Sequence, residues 1–412
     1  MATSSQQMRA WTGPAILSYG FRPLFLLAGL WAALAMILWI AMLSGRASLP
    51  TAFDPVSWHA HEFLFGYLGA VMAGFLLTAV PNWTGRLPIV GWPLGILAGL
   101  WLIGRLAVAA SAHLPPFVVA LADLSFLMVL TLALLREIVV GRNWRNLAVI
   151  GLLSLFIAMN AGFHWQVAHG DYAADGVAMR GAVGVAVMLI GLIGGRVVPS
   201  FTRNWLARRP AGAMPVPPGR GDSVCLAISL VALVFWTATP VLWVTGVAAL
   251  FAGLANMWRM SRWAGWRSVS EPLLWVLHAG FGFVPLGFLL IAGANLAPQF
   301  FPAVGALHAW LAGAVGTMTL AMMTRASLGH TGRPLHADRR TTAVYVLIVG
   351  AALLRILAGF VPAQPFILDL AGFSWILAFG LFSLSYAPLY LLPRRIAGRT
   401  PQASANSDKG NG

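Results

Sequence analysis

Apolar runs fill the chain near residues 20–43, 59–80, 92–111, 116–136, 146–166, 177–199, 222–238, 241–260, 272–292, 303–324, 341–361 and 366–391, and the breaks between them are short and rich in Arg, Pro and Gly. Crossing roughly 30 Å of hydrocarbon takes about 20 apolar residues in a helix, and neither open sheets nor irregular backbone can face lipid. The pattern predicts an all-α membrane protein with about twelve transmembrane helices. The seventh and eighth runs are short, with only Thr239-Pro240 as a turn signal between them, so they are expected as a kinked hairpin or as one re-entrant unit.

The runs are internally similar. His61 opens a stretch that closes on Thr84-Gly85-Arg86, and His308 opens one that closes on Thr331-Gly332-Arg333 at the same separation; the overlay also matches Gly66 with Gly313 and Gly69 with Gly316. A weaker third copy follows Met179 and ends on Pro199-Ser200-Phe201-Thr202-Arg203, without the histidine. The expected organisation is one polytopic domain over 1–399, made of pseudo-repeats of about 20–140, 141–265 and 266–395, followed by a disordered cytoplasmic tail at 400–412. Three four-helix units with histidines on the second and tenth helices resemble the haem–copper oxidase architecture. The sixth-helix histidine and the adjacent histidine pair of that architecture are missing here, and fold-level analogy alone does not carry function.

Composition narrows the class. The chain is 59% hydrophobic and 9% charged, which excludes an ordinary soluble enzyme. A net charge of +15 would point to nucleic acid in a soluble domain. Here the arginines cluster in short loops, among them Arg142 and Arg145, Arg203, Arg208 and Arg209, Arg259, Arg262 and Arg267, and Arg339 and Arg340, so they read as cytoplasmic topology determinants, and no nucleic-acid partner is expected. Both termini are expected inside, with Arg394, Arg395, Arg399 and Lys409 adding to the inner charge. Residues 1–19 lack the compact apolar core of a cleavable signal. The single cysteine, Cys225, excludes an intramolecular disulfide and any multi-cysteine iron–sulfur or zinc site.

With that orientation the polar residues inside the spans fall in one layer, the outer half. They are His59, His61 and Glu62 in the second helix, Arg105 in the third, Asn160 and His164 in the fifth, His308 in the tenth and Arg355 in the eleventh. Ionisable groups at such depth are functional candidates. His59 and His61 are two apart, a turn of about 200° on a regular helix, so they serve different partners unless His59 lies before the helix. Asn160 and His164 share a face. His61 and His308, paired by the repeat, suit bis-histidine ligation of haem, and further histidines suit copper. His59, His61, His164, His278 and His308 are the candidate metal ligands, and Asn160 is a candidate hydrogen-bond partner for an imidazole or a cofactor edge. For His278, on the inner side, a satisfied core histidine and a metal ligand are both open. Arg105 and Arg355 need counter-charges, and with Asp123 as the one clear intramembrane acid, haem propionates are the expected partners. Met318, Met322 and Met323 read as gap-filling core rather than soft copper ligands.

Phe21-Arg22-Pro23, Trp58-His59-Ala60-His61-Glu62, Pro81-Asn82-Trp83-Thr84-Gly85-Arg86, Gly194-Gly195-Arg196 through Asn204, and Met323-Thr324-Arg325 through Arg333 together resemble the NnrS family across nearly the whole chain. The resemblance implies a bacterial inner-membrane protein with haem and copper, tied to denitrification and the nitric oxide stress response. The paired His61 and His308 with the unpaired Arg105 and Arg355 motivate a haem protein in membrane lipid that binds or processes nitric oxide or its metal adducts; whether it is a haem-dependent redox enzyme served by a respiratory electron donor is open. The competing classes are a transporter for a small anionic or metal-containing solute and a non-catalytic partner of respiratory enzymes.

Overall fold

The computed structural model describes residues 11–393 except residue 87. The expected tail at 400–412 and the charges at Arg394, Arg395, Arg399 and Lys409 lie outside the described residues. Twelve long helices follow one another: α1 Phe21–Leu43, α2 Pro55–Thr84, α3 Trp92–Ala109, α4 Pro116–Val140, α5 Leu147–Ala168, α6 Val177–Leu206, α7 Arg220–Ala238, α8 Trp243–Ser261, α9 Pro272–Leu296, α10 Ala303–His330, α11 Arg339–Phe360 and α12 Pro365–Leu391. Eleven of them are long and apolar enough to cross a membrane, which makes this a multi-pass, all-helical membrane protein. The exception is α8. It and α7 are separate helices of 19 residues each, joined by a short turn, rather than one re-entrant unit.

Local sequence explains the ends. Proline occupies the first turn of α2, α3, α4, α9 and α12, where its missing N–H costs nothing. Asp54 caps α2 by accepting hydrogen bonds from the Val56 and Ser57 amides at 3.0 Å. Gly85 (φ +69°) and Gly332 (φ +74°) turn the chain left-handed just past α2 and α10. The matched Thr-Gly-Arg landmarks are thus two copies of one stop signal.

The helices form a ring that closes where α12 packs on α1. The interior belongs to α2, α6, α9 and α10, whose most apolar stretches are 83%, 61%, 72% and 67% buried, against 33–44% in the other seven spans. Three of these four carry a π-helical segment: Glu62–Leu68 in α2, Ile190–Gly194 in α6 and Ala309–Gly316 in α10. In α2 and α10 it begins directly after His61 and after His308. A π turn widens the helix and leaves carbonyls needing donors, a form found mostly at functional sites. Trp101 Nε1 donates to the Gly66 carbonyl at 2.9 Å, and Arg259 donates to the Gly191 carbonyl at 2.8 Å.

Arg259 departs from expectation. Instead of marking a solvated loop it is 2% exposed on α8 and donates to Asp222 of α7 at 2.8 Å, a buried ion pair that ties α6, α7 and α8 together. Its reach depends on Gly195, where a Cβ would stand 2.1 Å from the guanidinium.

Candidate metal and cofactor sites at one end of the bundle

The polar residues expected in one layer do gather at one end of the bundle, but α2 divides them into two groups. His61 and His59 face opposite sides of the helix, as a rotation of about 200° requires. The matched pair His61 and His308 therefore does not meet.

The first group is a fully buried cluster between α2, α3, α4 and α5. His61 Nδ1 lies 3.1 Å from Glu62 Oε1, and its Nε2 lies 3.1 Å from Asn160 Oδ1 and 3.2 Å from Asp123 Oδ2. Asn160 donates to Asp123 Oδ2 at 2.7 Å, which fixes its amide with the oxygen toward His61. His164 Nε2 lies 3.0 Å from the same carboxylate oxygen. Arg105 bonds Glu62 Oε1 at 2.5 Å and also pairs with Asp123 Oδ1. Arg105 thus finds its counter-charges inside the protein, which corrects the expected propionate partner at this position. Asp123, the one clear intramembrane acid, is the hub of the cluster and the counter-charge of Arg105.

Two features of the cluster call for a cation. A neutral imidazole carries one N–H, yet both ring nitrogens of His61 face oxygen acceptors. In addition, two ionised carboxylates against one guanidinium would leave a net charge of −1 with neutral histidines, which is costly where no side chain is more than 6% exposed. A second proton on His61 or a bound metal ion supplies the missing charge. The ligand atoms of His61, Asp123 and His164 all lie within 4.8 Å of one another. Their closest approaches of 3.0–3.2 Å compare with roughly 3.3 Å between neighbouring ligands around a tetrahedral ion with 2.0 Å bonds.

Gly66 gives the cluster its room. A Cβ there would stand 2.7 Å from Arg105 Nη1, 3.0 Å from Glu62 Oε2 and 3.1 Å from Trp31 Nε1. Both Glu62 Oε2 and the Trp31 indole N–H are buried without a hydrogen-bond partner.

The second group lines a cavity of about 1010 Å³, mouth included, between α1, α2, α10, α11 and α12. His59, His308 and Arg355 are its basic residues; its other walls are largely aromatic and aliphatic. The His59 ring stacks on Trp39 at 4.1 Å, and its Nδ1 is buried with no hydrogen-bond partner. His308 Nδ1 donates to the Val304 carbonyl at 2.8 Å, which leaves Nε2 with its lone pair, the arrangement typical of a ligating histidine. Arg355 has no acidic partner among the described residues, and the expectation of an external anion stands here. An orphaned imidazole nitrogen, a second free one and an unpaired guanidinium beside apolar walls fit haem.

His278 joins neither group. Because the Thr202 hydroxyl donates to the Val198 carbonyl, the imidazole Nε2–H donates to Thr202 at 2.9 Å, which ties the ring to α6. Met318, Met322 and Met323 follow His308 by ten residues or more, about 15 Å along α10, and are not neighbours of its ring.

Fold and sites together define a polytopic membrane protein with a buried histidine–carboxylate cluster able to hold a metal ion. The NnrS protein family model matches residues 15–394, essentially the whole described chain, and the protein belongs to that family. No curated protein matches it. Membership fits a part in the nitric oxide response.

Proposed function

We propose that the protein is a haem and copper protein of the bacterial inner membrane, acting in denitrification and nitric oxide stress by binding or processing nitric oxide or its metal adducts in the outer half of the bilayer. The observation that carries this reading is the doubly acceptor-facing His61 in a cluster one positive charge short, set across α2 from the cavity that holds His59, His308 and Arg355. His59 and His308 hold haem, and Arg355 binds its carboxylates. His61, His164 and Asp123 hold copper, for which imidazole and carboxylate are suitable ligands, while Glu62 and Asn160 orient His61. Haem supplies an iron that binds nitric oxide, and copper a second redox centre; a respiratory electron donor and surrounding lipid are the remaining partners. Both termini lie in the cytoplasm in this reading, which the arginine-rich loops support, and the π segments shared by α2, α6 and α10 support a three-fold pseudo-repeat.

Purified protein is expected to show a Soret band that shifts when nitric oxide is added. His308→Ala abolishes the band. A haem-free, metal-free protein that moves an anionic solute into liposomes would contradict the reading and favour a transporter that uses Arg355.

A further inference from the structure

Three cavities are stacked between α2, α6 and α10. On α2 the outer chamber is lined by residues within 56–67, the middle one within 68–76 and the inner one within 75–82. The order repeats on α10, with 307–315, 318–322 and 322–330, and on α6, where the middle chamber takes 186–197 and the inner one 197–205. The agreement of three helices fixes the stacking. From residue 56 to residue 82 the chambers cover about 39 Å of helix, more than the roughly 30 Å of hydrocarbon.

The chambers differ in chemistry. The outer one holds His59, His308 and Arg355, and the inner one, about 1700 Å³ with its mouth, holds Asn82, Asn204, Glu271 and Arg325. The middle one, about 690 Å³ with its mouth, is lined by aliphatic, methionine and phenylalanine side chains, and the only hydroxyl among its lining residues is Thr319. That hydroxyl is fully engaged: it donates to the Val315 carbonyl at 2.6 Å and accepts from Tyr67 at 2.5 Å. Tyr67 lines the outer chamber, so this hydroxyl contact is the wall between outer and middle. A cavity without free polar partners stays dry and takes apolar atoms such as xenon. Ions and protons have no foothold there.

We infer that the axis between α2, α6 and α10 is a path for a small uncharged molecule of diatomic size, with a dry middle chamber that admits it while insulating the two polar ends from each other. The inference deepens the proposed function, on which it rests for the choice of a neutral diatomic. The test uses xenon on the full chain and needs neither haem nor nitric oxide. Crystals pressurised with xenon are expected to show it in the middle chamber. Ala186→Phe and Val71→Phe, two separate ways to fill the chamber, each remove it, and either one suffices if the other fails to fold. Tyr67→Ala extends the xenon density into the outer chamber. An acyl chain in place of xenon, no xenon in the wild type, or unchanged density in a folded filled variant would overturn the path. A Soret band that still shifts with nitric oxide would leave the proposed function standing in that case.

Discussion

At the residue scale, Asp123 and Arg105 hold the cluster together. One Asp123 oxygen, Oδ2, meets Asn160, His164 and His61, and the other pairs with Arg105. Removing Arg105 leaves two buried carboxylates uncompensated, and breaking a buried pair costs about 3–5 kcal/mol. Arg105→Met is therefore expected to lower the unfolding temperature of the detergent-solubilised protein sharply, with Arg105→Lys intermediate. A Met variant as stable as the parent would show that the carboxylates are not both charged. Arg355 is the opposite case. It has no acidic partner among the described residues, so Arg355→Ala is expected to change stability far less than Arg105→Met while weakening haem retention during purification. Equal haem content would remove Arg355 from the cofactor site.

At the element scale, α2 does two jobs because of its π segment. Deleting Leu64 would restore regular winding and rotate the preceding histidines by about 100° relative to the rest of the helix. Both the Soret band and the cluster metal should then be lost together, although neither His59 nor His61 has changed. Retention of both would mean that the π turn does not set their direction. Gly66→Ala is the milder version: its methyl meets Arg105 at 2.7 Å, and the expected result is a destabilised cluster with the His59 cavity intact. The helices themselves were legible from apolar run length, and so was the divergence of His59 and His61, which follows from 200° of rotation. The π segments were not. They arise from tertiary donors such as Trp101 and Arg259 that satisfy the freed carbonyls. Nothing in the runs around Glu62 or Ile190 announces those partners.

At the scale of the whole molecule, the bundle encloses a central trio, α2, α6 and α10, that carries the π segments and the stacked chambers. The layer of polar residues was readable from topology, because alternating helix directions place His61, Asn160, His308 and Arg355 at one end. Which of them meet was not readable, since that depends on how α2 is turned within the ring. The repeat correctly marked α2 and α10 as special while pairing His61 with a histidine it never faces. In the proposed function α2 separates two independent metal sites. Haem and copper content, measured on the same purified preparations of His308→Ala and His164→Ala, is the decisive measurement. His308→Ala is expected to lose the Soret band and keep its copper, while His164→Ala is expected to keep the Soret band and lose copper. Loss of both from either variant, or copper unaffected by His164→Ala, would contradict it.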